Sequence, residues 1–202
     1  MTLITILYWA YYIKFLIFLL CFTMVHSSKD YFLYFAYGSN LLKKRLRINN
    51  PSAEFVGIGV LDNHQLDFVK YYGNWGGAVA TAVPRPSKSV WGAIWKMHQD
   101  DLVTLDTQEG VLSKEYFAKM VHICSPDGMT SRCRTYQHTF TPQVLLPNET
   151  LPYERRPSIT YKEVIVQGAI ECNLPAEYIE MLKQLPHNGQ NASDDIRKRL
   201  DM

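Results

Sequence analysis

The stretch Tyr34-Phe35-Ala36-Tyr37-Gly38-Ser39-Asn40 constrains this chain more than any other. A short aromatic run breaks at Gly38, and Leu41 to Ile48 then continues with helical spacing, so the chain has a strand that turns directly into a helix. Gly38 tolerates positive φ and has no side chain, so a ligand can approach its backbone. Ser39 or Asn40 can cap the helix. The N–H groups of that first turn would then face outward beyond the strand, where they suit a carboxylate or an oxyanion. A plain strand–turn–helix with a glycine hinge fits the same residues.

Downstream, apolar strands dominate. Ala53 to Val60 and Leu66 to Tyr72 read as strands separated by Asp62-Asn63-His64. Gly73-Asn74-Trp75-Gly76-Gly77 is a glycine-rich loop without the Lys-Ser/Thr ending or the Gly-x-Gly-x-x-Gly spacing of a nucleotide site. Ala78 to Val83 and Val90 to Trp95 are strands on either side of the turn Pro84-Arg85-Pro86-Ser87. Gln99 to Gln108 is a short helix with Asp100 and Asp101 at its favourable end. Gly110 terminates it just after Glu109. Tyr116 to Cys124 and Cys133 to Phe140 form a hairpin. A loop punctuated by Pro142, Pro147, Pro152 and Pro157 follows, exposed and variable in character.

Ser158 to Cys172 has the β-branched run Val164-Ile165-Val166, but its apolar positions recur at helical spacing and Ser158 is a fair N-cap, so it reads as a helix. Pro175 to Leu185 is a second helix, stopped by Pro186, and the polar residues 186–202 read as a mobile tail. Strands outnumber helices, and the helices fall at both ends of the strand series. The fold class is α+β, a small mixed β-barrel-like sheet flanked by short helices.

Charge and cysteine content exclude several roles. The net charge is +2, and loss of Lys14 with the first 26 residues leaves +1, which gives no basis for nucleic-acid binding. Lys43, Lys44, Arg45 and Arg47 on the first helix read as a solvated face. Residues 1–26 are foreign in composition. They parse as a signal peptide, with Lys14 closing the n-region, Phe15 to Val25 as the apolar core and Val25-His26-Ser27 as the cleavage site. An uncleaved membrane anchor and a misassigned start codon, which would leave the protein cytoplasmic, fit the same run. Secretion gives meaning to the sequons at Asn148 and Asn191. Outside the leader, Cys124, Cys133 and Cys172 remain. Cys124 and Cys133 flank the hairpin turn, and a slip of one residue in register decides whether their sulfurs meet. His122, Cys124, Cys133 and His138 lack the close Cys-x-x-Cys pair of a zinc site.

Phe35-Ala36-Tyr37-Gly38-Ser39-Asn40-Leu41 resembles the signature of the γ-glutamylcyclotransferase family. Further matches follow in the family's order. They are Asn50-Pro51-Ser52-Ala53, Leu66-Asp67-Phe68, Gly76-Gly77-Ala78-Val79-Ala80-Thr81, Val90-Trp91-Gly92, Gln108-Glu109-Gly110-Val111, Cys133-Arg134-Thr135-Tyr136 and Tyr161-Lys162. The resemblance spans residues 31–185. It implies a small mixed barrel with the active site at one mouth and a small-molecule γ-glutamyl substrate. It implies no cofactor and no metal. A homodimer is left open.

The resemblance also implies roles. In that chemistry the substrate's own α-amino group attacks its γ-carbonyl, closing 5-oxoproline and expelling an amine. No Ser or Cys nucleophile is needed, only a folded geometry and a proton shuttle. Glu109 falls on the family's catalytic glutamate. Substrate binding falls to Tyr34, Phe35, Ala36, Tyr37, Gly38 and Ser39, with Tyr116, Tyr136 and Tyr161. An α-ammonium near 8 and an ordinary Glu near 4.3 leave the proton transfer uphill by about 5 kcal/mol, so a desolvated Glu109 with a raised pKa is expected. Two rival readings use the same residues. One is a hydrolase with Ser39 as nucleophile and His98, His122 or His138 as base, although Gly38-Ser39-Asn40 lacks the Gly-x-Ser-x-Gly elbow. The other is a secreted binding protein that keeps the pocket without turnover.

Overall fold

A computed structural model describes residues 30–146 and 149–202, of which Tyr31–Met202 form one compact unit. The leader and Asn148 lie outside the described residues. Five strands close into a barrel: β1 (Tyr31–Ala36), β2 (Glu54–Tyr72), β3 (Gly77–His98), β4 (Tyr116–Cys124) and β5 (Thr130–His138), in the order β1-β3-β2-β4-β5. Neighbours run antiparallel except β1 and β5, which close the barrel in parallel through Tyr34 opposite Arg134. The α+β barrel expected from the sequence is the architecture found.

β2 and β3 are each longer than the sequence suggests. What reads as two strands on each side is one bent hairpin, with a register shift between Asp62 and His64. Asn63 and Ser87 take left-handed φ there, at 55° and 62°. Ser89 Oγ donates to Asp62 Oδ1 at 3.0 Å and the Ser87 N–H to Asn63 Oδ1 at 3.2 Å, so the expected breaks are bulges that bend the sheet towards closure.

The helices are short. α1 (Lys43–Arg47) follows a 3-10 turn at Ser39–Leu41, and α2 (Leu102–Gln108) extends another at Gln99–Asp101. α3 (Ile159–Glu171) starts at Ser158, whose hydroxyl accepts from the Tyr161 N–H at 3.0 Å, so the helical spacing outweighs the β-branched run. α4 (Ala176–Gln184) and α5 (Asp194–Leu200) complete the chain. α3 crosses the turn after β1 so closely that a Cβ on Gly168 would lie 2.4 Å from the Leu42 nitrogen. Phe35, Leu41, Leu46, Phe68, Trp95 and Ile165 are fully buried, each worth about 1.5–3 kcal/mol of transfer free energy.

One expectation needs correction, and the question of the hairpin cysteines is answered. Residues 186–202 are a docked segment and not a mobile tail. Ala192 and Leu200 are buried, Asn188 Nδ2 donates to the Gly76 carbonyl at 2.8 Å, and the Ser193 N–H donates to the Asn74 carbonyl at 2.9 Å. The proline-rich loop is largely exposed, as expected, and is anchored at its C-terminal end. The Arg155 guanidinium meets buried Asp67 at 2.5 Å and the Gln143 carbonyl at 2.9 Å. Finally, Cys124 pairs with Thr130 and Cys133 with Val121, so the two sulfurs do not face each other and all three described cysteines are free thiols. Burial raises the Cys133 thiol to about 11 and the Cys172 thiol to about 12.

Candidate active site

The end of β1 and the end of α2 meet at a pocket. Glu109 caps the C-terminus of α2, and Gly110 beyond it takes φ of 65°. The Gly110 N–H bonds the Thr107 carbonyl at 3.0 Å and the Val111 N–H bonds the Asp106 carbonyl at 2.9 Å. This paired closure locks the helix end and aims the Glu109 carboxylate inward. A pocket of about 40 Å³ is lined by Tyr34, Tyr37, Gly38, Ser39, Asn40, Ala80, Glu109, Tyr116, Tyr136 and Tyr161.

Most of the expected residues therefore converge. Phe35 and Ala36 do not. Both are fully buried and absent from the lining. Gly38 is present with φ of −111°, so its tolerance of positive φ is not used. Its smallness matters for space, since a Cβ would lie 3.2 Å from the Ala80 Cβ and 3.4 Å from the Tyr161 hydroxyl. Neither Ser39 nor Asn40 caps a helix. The Asn40 side chain is used elsewhere. Its Nδ2 donates to Glu109 Oε1 at 2.9 Å and to the Tyr34 hydroxyl at 3.0 Å, while Oδ1 accepts from Gln108 Nε2 at 3.0 Å.

Desolvation is the main reason that the Glu109 carboxyl is pushed up to about 7. The Arg45 charge and hydrogen bonds from Gln108 and Asn40 oppose the shift, and Asp106 adds slightly to it. Burial likewise raises the hydroxyls of Tyr34, Tyr37, Tyr116, Tyr136 and Tyr161, and Glu109 adds to this at Tyr34 and Tyr37. They stay neutral and available for hydrogen bonds. Their positions are fixed by partners around the barrel. Tyr37 donates to the Tyr136 carbonyl at 2.5 Å, Tyr116 donates to the Ala80 carbonyl at 2.8 Å, and Tyr161 accepts from the Ala80 N–H at 3.1 Å. Tyr136 donates to Asp106 at 2.5 Å, and Arg134 grips the same carboxylate at 2.7 and 2.9 Å.

A larger groove of about 290 Å³ adjoins the pocket and shares Ser39, Glu109, Tyr116 and Tyr161 with it. It adds Arg45, Tyr72, Trp75, Val79, Gln108, Gly110, Ser113 and Glu115. Arg45 is thus not part of a solvated face. Its guanidinium lies 5.7 Å from the centre of the Trp75 ring, and burial pulls it below its ordinary pKa while Glu109 opposes that. Asn40, Arg45, Asp106, Gln108 and Arg134 are the site residues that the sequence reading missed. Asn40, Gln108 and Arg134 lay inside matched stretches, and that was the available signal.

A carboxylate held half-protonated near neutrality, surrounded by neutral phenols and a bare backbone turn, suits proton transfer. Among the described residues no histidine lines the pocket beside Ser39. His98 packs on Tyr31, His138 packs on Tyr116, and His122 is exposed; none lines the pocket or the groove.

The comparisons with known proteins agree with this class. The AIG2-like family model matches residues 89–182. Human γ-glutamylcyclotransferase is 39% identical over 173 residues, covering 83% of this chain and 86% of that protein. The mouse γ-glutamylcyclotransferase is 40% identical over 162 residues, covering 78% of this chain and 80% of its own. A solved structure of a γ-glutamyl cyclotransferase superposes with a TM-score of 0.75 at 36% identity, covering 85% of this chain and 99% of that one. The chain belongs to the γ-glutamylcyclotransferase family.

Proposed function

We propose that this protein is a γ-glutamylcyclotransferase that releases 5-oxoproline and a free amino acid from γ-glutamyl amino acids, with Glu109 as the proton shuttle. The observation that carries the reading is Glu109 itself, a carboxyl raised to about 7 and facing a pocket with neutral phenols. An α-ammonium near 8 lies about one unit above it instead of nearly four, so the first proton transfer is only slightly uphill. Glu109 takes that proton. The freed amine attacks the γ-carbonyl carbon, a C–N bond forms, and the carbonyl oxygen becomes an oxyanion. Neither the Gly38 nor the Ser39 N–H has an acceptor among the described residues, and both belong to the turn lining the pocket, so they can stabilise that charge. Collapse breaks the original amide bond as Glu109 returns the proton to the departing nitrogen, and the re-ionised Glu109 then takes the second proton from the attacking nitrogen and passes it to the released amine, leaving the lactam N–H.

The test is product identification. Incubation with γ-glutamylalanine should yield 5-oxoproline and alanine, and Glu109→Gln should lower the rate by at least about a hundredfold with much less change in substrate affinity. Free glutamate as the product would favour a hydrolase, and binding without turnover would favour a binding protein.

We also propose that the protein enters the secretory pathway and is cleaved near Ser27 and glycosylated. Supporting this are the apolar leader and the two sequons, of which Asn191 is exposed on the docked C-terminal segment.

A further inference from the structure

The pocket and the groove differ in chemistry as well as in size. The pocket has no cation, whereas Arg45 lines the groove. If the proposed cyclisation is correct, the glutamyl unit curls into the small pocket, with its amine at Glu109 and its carbonyl at the Gly38–Ser39 turn. Glu109 lines both spaces and must also protonate the departing nitrogen, so the substituents on that nitrogen extend into the groove. In a γ-glutamyl amino acid the first group beyond that nitrogen is the carbon carrying the leaving residue's α-carboxylate.

Arg45 has the capacity to receive it. Of its five N–H donors, one reaches Gln108 Oε1 at 3.2 Å, a neutral acceptor. No carboxylate among the described residues forms an ion pair with it. Its neighbours on α1 are engaged elsewhere, Lys44 with Asp201 and Arg47 with the Ala53 carbonyl. A half-buried guanidinium with one neutral partner is poorly compensated until an anion arrives. Two carboxyl groups line the groove: Glu109 is neutralised when it takes the substrate's proton, and Glu115 is already engaged. Glu115 is held by Lys70 Nζ at 2.5 and 2.7 Å and by the Tyr72 hydroxyl at 2.6 Å. The Trp75 ring beside the guanidinium restricts its orientation.

We propose that Arg45 binds the α-carboxylate of the leaving amino acid, so that the enzyme selects γ-glutamyl amino acids over γ-glutamyl amides that lack this carboxylate. The inference rests on the cyclotransferase reading and extends it to the leaving-group side.

The experiment compares γ-glutamylalanine with γ-glutamylalaninamide, which differ only in that carboxylate, through kcat/KM for 5-oxoproline release. It is run on the alkaline plateau, where Glu109 is fully ionised in every variant. The wild type should favour the acid about tenfold to a hundredfold, as expected for a charge-assisted hydrogen-bonded pair. Arg45→Gln should collapse that ratio towards one, and Arg45→Lys should keep part of it, because the charge remains and the planar fork is lost. Equal use of both substrates by the wild type overturns the proposal without any variant. So does an Arg45→Gln protein that loses activity on both substrates by the same factor, which would place Arg45 on the glutamyl carboxylate or on Glu109. Absence of 5-oxoproline from both substrates would instead refute the cyclotransferase reading, and this inference with it.

Discussion

The Asn40 amide and the Glu109 carboxylate meet at 2.9 Å, joining the turn after β1 to the end of α2 across 69 residues of sequence. Each half of the site therefore orients the other. The turn presents backbone donors, the helix end presents the proton acceptor, and one amide fixes their separation. Because Asn40 is buried and also held by Gln108 and Tyr34, it has little freedom to release the carboxylate.

Replacing Asn40 with Leu should slow cyclisation about tenfold to a hundredfold, the usual effect of removing a hydrogen bond to a charged group. It should also move the acidic limb of the pH–rate profile upward, since the Asn40 donor holds the Glu109 pKa down. A slower enzyme with an unmoved limb would mean that Asn40 supports the turn alone.

The legible parts of this molecule were local. The Ser158 cap, the Gly110 terminator and the aromatic strand before Gly38 each depend on a few consecutive residues. The illegible parts depend on distant packing. The small space at Gly38 is set by Ala80 and Tyr161, which are 42 and 123 residues away in the numbering. The register that separates Cys124 from Cys133 is set by the whole hairpin. A near-neutral total charge suggested a solvated face for α1, yet a total cannot place one side chain, and Arg45 turns into the groove. Composition marked residues 186–202 as polar, but the few apolar residues among them dock, Ala192 and Leu200 buried and Ile196 and Met202 partly so.

Truncation after Leu185 tests that docking. It removes the buried Leu200 and the hydrogen bonds from Asn188 and Ser193 to the Gly73–Gly77 loop, which carries Trp75. Losing Leu200 alone forfeits about 1.5–3 kcal/mol of burial, so Tm should fall by at least about 3 °C. KM should rise more than kcat falls, because the released loop carries Trp75 of the groove and no residue of the small pocket. An unchanged Tm would mean that the segment adds nothing to the folded state.

Expression of the full chain in a secretory host should give protein in the medium that begins near Ser27. Its electrophoretic mobility should increase after glycosidase treatment, and Asn191→Gln should remove part of that change. Cytosolic protein retaining Met1 would refute the secretory assignment, while glycan-free protein in the medium would refute only the sequons.

Glu109 should leave its mark on stability as well as on rate. Its folded pKa of about 7 lies above the unfolded value near 4.3. Between those values the unfolded chain gives up its proton readily while the folded site retains it. The unfolded state thus binds fewer protons, and stability must fall as pH rises through the window. Below the window both states are protonated and there is no loss; above it the loss is complete and constant. Glu109→Gln removes the titration while keeping the shape. The variant should therefore match the wild-type Tm near the bottom of the window, gain on it steadily, and exceed it by several degrees above about pH 7. Wild-type kcat/KM should rise through the same upper boundary as the base ionises, so the protein gains activity while losing stability. Thermal unfolding of both proteins across the pH series checks this. Parallel Tm curves would mean that the carboxylate is well solvated, and the raised pKa on which the proton-shuttle role rests would have no basis.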